Sequence, residues 1–305
     1  MENCLKEAVD KENRTMRKYI LVISIIISIV TYSNSRVESY VDRERREDNL
    51  TYIGDEETPY TGEIIYRDRE LPIERRDWYK EGVLEKVEIY YENGNVRRTS
   101  SEYIDGKLNG LLTTFYEDGT LMMETNYVDT KKHGIERGYN EQGILVGEVT
   151  YENGMINGLL RRYTDEGILY QEQSYKDDVL HGIEKLYDNE ILIEEREYSG
   201  GIQNGYLRMY FEDGGLIMEI NYKDGQRHGL EREYNEHGRL IREATYEDDM
   251  LNGVLKMYDD NGTLYIEQTY VDDDLHGIEK IYENRRVSEE REYEHGKLIK
   301  TTKVN

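Results

Sequence analysis

The residues of this sequence best equipped for chemistry are its histidines and its carboxylates. Four histidines, His133, His181, His228 and His276, each precede a glycine and recur at steps of 47 or 48 residues. Zinc chemistry needs ligand atoms within ~2 Å of one ion. Four strands apart on a flat sheet, these histidines would stand ~19 Å from one another. They cannot share a metal, and the glycine beside each marks a turn. His237 and His295 stand alone in the sequence. Acidic turns such as Asp272-Asp273-Asp274 offer oxygens to calcium, which takes six to eight of them. No EF-hand or calcium-binding nonapeptide pattern accompanies them, and Asp is also an ordinary turn residue. Phosphate loops, nucleophile elbows and Cys/His pairs are absent from the sequence. A catalytic site is a unique constellation, whereas every feature here is repeated. The sequence therefore points away from an enzyme and assigns no catalytic, cofactor-binding or metal-binding residue.

Composition narrows the partners. The net charge is −25, which repels nucleic-acid phosphates and anionic lipid surfaces, both of which are bound through basic patches. Charged residues make up 34% of the chain, and there are 29 Tyr against 2 Phe and 1 Trp. Tyrosine packs a ring on a sheet while its hydroxyl stays wet. A thin structure with most side chains near water is expected, not a thick core.

The elements that position these residues form a repeat. Tyrosines fall at Tyr103, Tyr127, Tyr151, Tyr175, Tyr198, Tyr222, Tyr246, Tyr270 and Tyr293, in steps of 24 with two of 23. Counting each as position 1, position 8 is glycine in all eight units, from Gly110 to Gly277. A second aromatic lies twelve residues on, from Phe115 to Tyr282, and position 22 is Glu throughout, from Glu124 to Glu290, once the one-residue deletions in the two 23-residue units are allowed for. Units reading N-G-L-L alternate with units reading H-G-I-E, and residues 103–197 match 198–292 at an offset of 95. The segment from Tyr175 agrees with that from Tyr270 at 15 of 23 positions. Two turn signals per unit, Y-x-D-G-x-x-[N/H]-G and an acidic turn ending in glycine, bracket runs of five to seven strand-forming residues. The expected fold is all-β, an elongated single-layer antiparallel β-meander of ~24-residue hairpins, with no helix in the repeats. Arg or Lys recurs at position 11 in seven of eight units, and it should meet the position-22 Glu of a neighbouring strand.

Outside the regular units, 103–305 including a C-terminal cap, the pattern decays. Residues 59–102 read as degenerate units, with Tyr60-Thr61-Gly62-Glu63 opening the first and Trp78 to Gly94 forming the second. Residues 36–58 are charged and non-periodic and read as a linker. Residues 1–35 combine a polar extension with a signal pattern. Met16-Arg17-Lys18 precedes an apolar run from Tyr19 to Val30, followed by small residues. Export to periplasm, cell surface or medium is expected, an uncleaved anchor over 19–30 being the alternative. Either Met1 or Met16 can be the start. The single cysteine, Cys4, lies upstream of this run.

The unit Tyr103-Ile104-Asp105-Gly106-Lys107-Leu108-Asn109-Gly110, with Phe115-Tyr116-Glu117-Asp118-Gly119 after it, resembles the MORN repeat in its bacterial variant form. The resemblance covers about residues 59–300. It implies a sheet of stacked hairpins and a role in protein association, and many bacterial members resemble antitoxin components. The expected function is an exported non-enzymatic scaffold that binds another protein. The alternatives are an antitoxin or immunity protein neutralising a cognate toxin, and a calcium-tuned surface adhesin.

Overall fold

The computed structural model describes residues 43–46, 48–67, 73–91 and 97–304. The signal pattern at 19–30 lies outside them. Among the described residues every regular element is a strand. The chain divides into two units, residues 1–119 and 120–305.

In the first unit, β1 (Arg43–Arg45) and β2 (Thr51–Ile53) pair as a small antiparallel hairpin. This corrects the linker expected over 36–58, at least for 43–53. Thr51 and Tyr52 are buried, and Thr51 N donates to Gly82 O at 2.9 Å while Gly82 N donates to Tyr60 O at 2.7 Å. Charge density hid a short Thr-Tyr-Ile strand with a place to dock. The degenerate units then run as a meander of β3 (Gly62–Arg67), β4 (Ile73–Lys80), β5 (Val83–Tyr91), β6 (Arg97–Ile104) and β7 (Lys107–Phe115). Their core gathers Ile64, Tyr66 and Tyr79, with Ile53, Tyr60 and Leu84 packed against it.

The second unit holds β8 (Leu121–Val128), β9 (Lys131–Tyr139), β10 (Leu145–Glu152), β11 (Met155–Tyr163) and β12 (Leu169–Lys176), and continues to β24 (Lys297–Lys303). Strands pair antiparallel in chain order. Most are eight or nine residues long, longer than the five-to-seven-residue runs, because the N/H-G pair belongs to the strand and not to the turn.

The turns differ from the sequence expectation in an instructive way. The two-residue connections have both central residues at positive φ, as in Asp129 (47°) with Thr130 (67°) and Asp177 (50°) with Asp178 (65°). These are type I′ hairpins, whose twist matches that of the strands. The position-8 glycine instead sits inside the strand at a register shift. Gly158, at φ 126°, faces Tyr175, and between Val149/Leu160 and Tyr151/Ile156 the longer strand carries extra residues. From Gly134 onward each such glycine faces the next unit's position-1 tyrosine, Gly134 with Tyr151 and Gly182 with Tyr198. Gly62 faces Tyr79 in the same manner, which sets the register of the first degenerate unit by Gly62 and not by Tyr60.

The two 23-residue units are equally simple. Elsewhere the second connection is a five-residue loop such as Asn140 to Ile144, where Asn140 N donates to Ile144 O at 2.9 Å and the Asn140 Oδ1 accepts Ile144 N at 2.9 Å. Where one residue is missing, Asn189-Glu190 and Asn284-Arg285 take positive φ at both positions and close the strands as two-residue turns.

Candidate functional site

Side chains directly opposite on paired strands share a sheet face. Position 22 lies opposite position 11 on both neighbouring strands, as in Glu148 opposite Arg137 and Arg161. The row therefore alternates in sign across the second unit: Glu124, Arg137, Glu148, Arg161, Glu172, Lys185, Glu195, Arg208, and on to Glu290. The pairing expected from the sequence is present. Arg137 reaches Glu124 at 3.2 Å and Glu148 at 2.9 Å; Arg161 reaches Glu148 at 3.0 Å and Glu172 at 2.7 Å. Further along, Arg208 meets Glu219 at 2.6 Å and Arg232 meets Glu243 at 2.8 Å. The hydrogen bonds that Arg137 donates to Glu124 and Glu148 raise its guanidinium further above its ordinary value. Second-aromatic tyrosines join the row. Tyr210 OH donates to Glu195 at 2.8 Å, and burial, then that bond, pushes its pKa up to about 12.

The opposite face carries a row the sequence did not reveal. Position 10 and position 23 meet there, and most of the row is buried although its members are mixed. Leu160, Leu207, Ala244 and Leu255 share it with Thr125, Gln173, Glu136, Glu184, Glu231 and Glu279. Glu231 and Glu279 are each 4% exposed. Cover comes from the same sheet, with Tyr246, Tyr270, Leu251 and Met257 packed around Ala244 and Leu255. A buried carboxylate must be paired or hydrogen-bonded, and each is. Glu136 accepts from Thr125 Oγ1 at 2.7 Å and Tyr151 OH at 3.4 Å, with Lys132 alongside. Glu184 accepts from Gln173 Nε2 at 2.7 Å and Tyr198 OH at 3.2 Å. Glu279 accepts from Gln268 Nε2 at 2.6 Å and Arg291 at 3.1 Å, and Arg227 and Arg242 serve Glu231. Burial, and then the charge of Glu136, pushes Tyr127 up to about 12. The H-G-I-E units thus place the buried carboxylate and the N-G-L-L units place leucine. That is the physical content of the two-unit alternation: apolar and polar layers in turn.

Position 7 staples neighbouring turns. Asn157, Asn204 and Asn252 donate through Nδ2 to Asp177, Asp224 and Asp272 at 3.2, 3.4 and 3.1 Å. The same place in an H-G unit puts His228 Nδ1 3.5 Å from Asp248 Oδ1. The acidic turns also accept backbone donors, Ile156 N to Asp178 at 2.6 Å and Leu251 N to Asp273 at 2.7 Å. His133, His181, His228 and His276 occupy equivalent places in separate hairpins, and position 7 works as a turn bridge. His295 is not solitary: its ring meets that of His276 edge-on at 5.2 Å. Among the described residues, no three His, Cys, Asp or Glu side chains are already gathered at one metal position.

The ladder face also carries a line of exposed apolar residues beside the type I′ turns: Val128, Met155, Val179, Ile202, Met250 and Val271. In each pair flanking a turn they face Lys131, Glu152, Lys176, Ser199, Glu247 and Asp274.

The family model described as MORN repeat variant matches residues 108–129, 132–153, 156–177, 203–224, 227–248 and 251–272. The stretches between and after the matched groups hold the two shortened units. No curated protein matches the chain at a significant level.

Proposed function

From a chain that belongs to the MORN-repeat proteins, as its six matching segments show, we infer a non-enzymatic scaffold that binds another protein along the outer row of its ladder face. The observation that supports this reading is the line of apolar side chains from Val128 to Val271, one at each type I′ turn except the one flanked by Lys223 and Gln226, each beside a charged or polar neighbour. Isolated apolar residues on a surface need no explanation, but a regular line of them is the kind of patch that partners cover. Repeated sheets supply such long surfaces. Export, carried by the Tyr19–Val30 run, belongs to the same proposal and places the partner outside the cytoplasm.

The test is affinity capture with the chain from Arg36 onward, beside a variant carrying Met155→Ser, Val179→Ser and Ile202→Ser. A protein retained by the first and lost by the second, with circular dichroism unchanged, supports the reading. Equal capture by both removes this surface from it. N-terminal sequencing of the native protein tests export separately: an intact Met16 in a soluble cytoplasmic fraction would refute it and favour the antitoxin alternative.

A further inference from the structure

The last hairpins depart from the array's rule at three places that touch one another. Position 7 normally bridges to position 3 of the next unit, as Asn157 does to Asp177. In the final unit both ends of that bridge are histidine, His276 and His295, with ring centroids 5.2 Å apart. A third ligand type is adjacent: Asp274 Oδ2 lies 3.9 Å from His295 Nδ1. We propose that His276, His295 and Asp274 form a surface site for a divalent transition-metal ion of the zinc class.

Four observations carry this. The ring separation is right, because two imidazoles on one tetrahedral ion, each with its nitrogen ~2 Å from the metal, hold their centroids ~5 Å apart. The Nδ1 of His276, like that of His228, is buried and has no hydrogen-bond partner, but only His276 has a second imidazole beside it. The strand is interrupted at this residue, Asp274–Leu275 and Gly277–Glu283 being separate segments, whereas around its counterpart His181 one strand runs unbroken from Val179 to Asp188.

The fourth observation lies within the sequence. The unit from Tyr175 and the unit from Tyr270 are copies at an offset of 95, and His181 corresponds to His276. Val179 stands where Asp274 does, and Gly200 where His295 does. The first copy therefore has one ligand-type residue at this place and the second has three. His295 also opens a two-residue turn at φ 47°, a position where the other units hold Asp, Asn or Gly. His295 and Asp274 are well exposed, so each can rotate toward an ion that His276 anchors. Imidazole nitrogens select zinc, nickel or copper over magnesium and calcium. Bound there, the ion would clip the turn after Tyr293 onto the strand that begins at Asp274.

Isothermal titration of the folded chain with zinc chloride tests this, beside His276→Asn, His295→Asn and Asp274→Val. Asn is the residue the array already uses at position 7 and tolerates at a positive-φ turn, and Val179 stands at the counterpart of Asp274, so these variants keep the fold. One zinc per chain is expected, weakened at least tenfold by either histidine change and less by the aspartate change. His228→Asn should leave binding unchanged, and calcium and magnesium should give no heat at this site. Absence of zinc binding, or zinc binding equal in the wild type, His276→Asn and His295→Asn, overturns the proposal. Binding lost equally in His228→Asn would assign the metal to dispersed histidines and overturn it as well.

Discussion

Strands β3–β7 and the strands from β8 onward share one repeat, yet each stretch holds its neighbours together by different means. In the later strands the row at positions 11 and 22 alternates in sign at every step. The equivalent row of the first unit reads Ile65, Arg76, Glu88, Ser100 and Thr113. Its charges find partners on their own strand or beside it, Arg76 with Glu74 at 2.7 Å and Lys86 with Glu88 at 2.7 Å. The inner row shows the converse. In the first unit Ile64, Asp77, Val87, Ser101 and Leu112 are all buried, and the β1–β2 segment adds Ile53. The worn units lost repeated charge and gained a small apolar core with an extra hairpin on it. A regular array spreads cohesion over many weak, identical pairs, whereas the first unit concentrates it in a few buried side chains.

The sharpest way to break this comparison is at Asp77. Its carboxylate is fully buried and meets Arg75 at 2.6 Å. Asp77→Ala leaves that guanidinium without its partner and should cost about 3–5 kcal/mol in denaturant unfolding. A loss below 1 kcal/mol would mean that the first unit has no concentrated core to lose.

Next in size is Gly182→Val. The glycine has φ 100°, and an added Cβ would lie 3.1 Å from Ser174 Cβ. Left-handed geometry for a β-branched residue and the close contact together should cost about 2–3 kcal/mol. The damage should stay near β13 (Val179–Asp188) and β14 (Ile191–Ser199), visible as local loss of amide-exchange protection. Protection lost equally from β9 to β23 (Arg286–Glu294) would show that the array unfolds as one body. The neighbouring His181→Ala should change stability by no more than about 0.5 kcal/mol.

Arg161→Ala sharpens the comparison from the other side. Arg161 spans Glu148 and Glu172 but is about one-third exposed. Such pairs contribute about 0–1 kcal/mol each and are screened by salt. A loss of about 0.5–1 kcal/mol at low salt, shrinking at high salt, is expected. A loss that does not respond to salt would assign the ladder's effect to packing of the arginine stem.

Much of the architecture was legible because it is local and repeated. The Tyr and Gly periods gave the hairpin count, and position 11 against position 22 gave the charge ladder, since both follow from spacing alone. The buried Glu136, Glu184, Glu231 and Glu279 were not legible. Glutamate reads as a solvent residue, and its burial depends on Tyr151, Tyr198 and Tyr293 lying across the sheet.

By itself the sequence determined which segments are strands, which residues turn, and which charges meet, because hairpin contacts are set by a fixed offset along the chain. Tertiary structure decided the rest. It placed the position-8 glycines in bulged strands facing tyrosines, turned part of the charged segment at 43–53 into a docked hairpin, and set His295 against His276. Each of these depends on where one strand falls beside another, and no spacing within a single repeat contains that information.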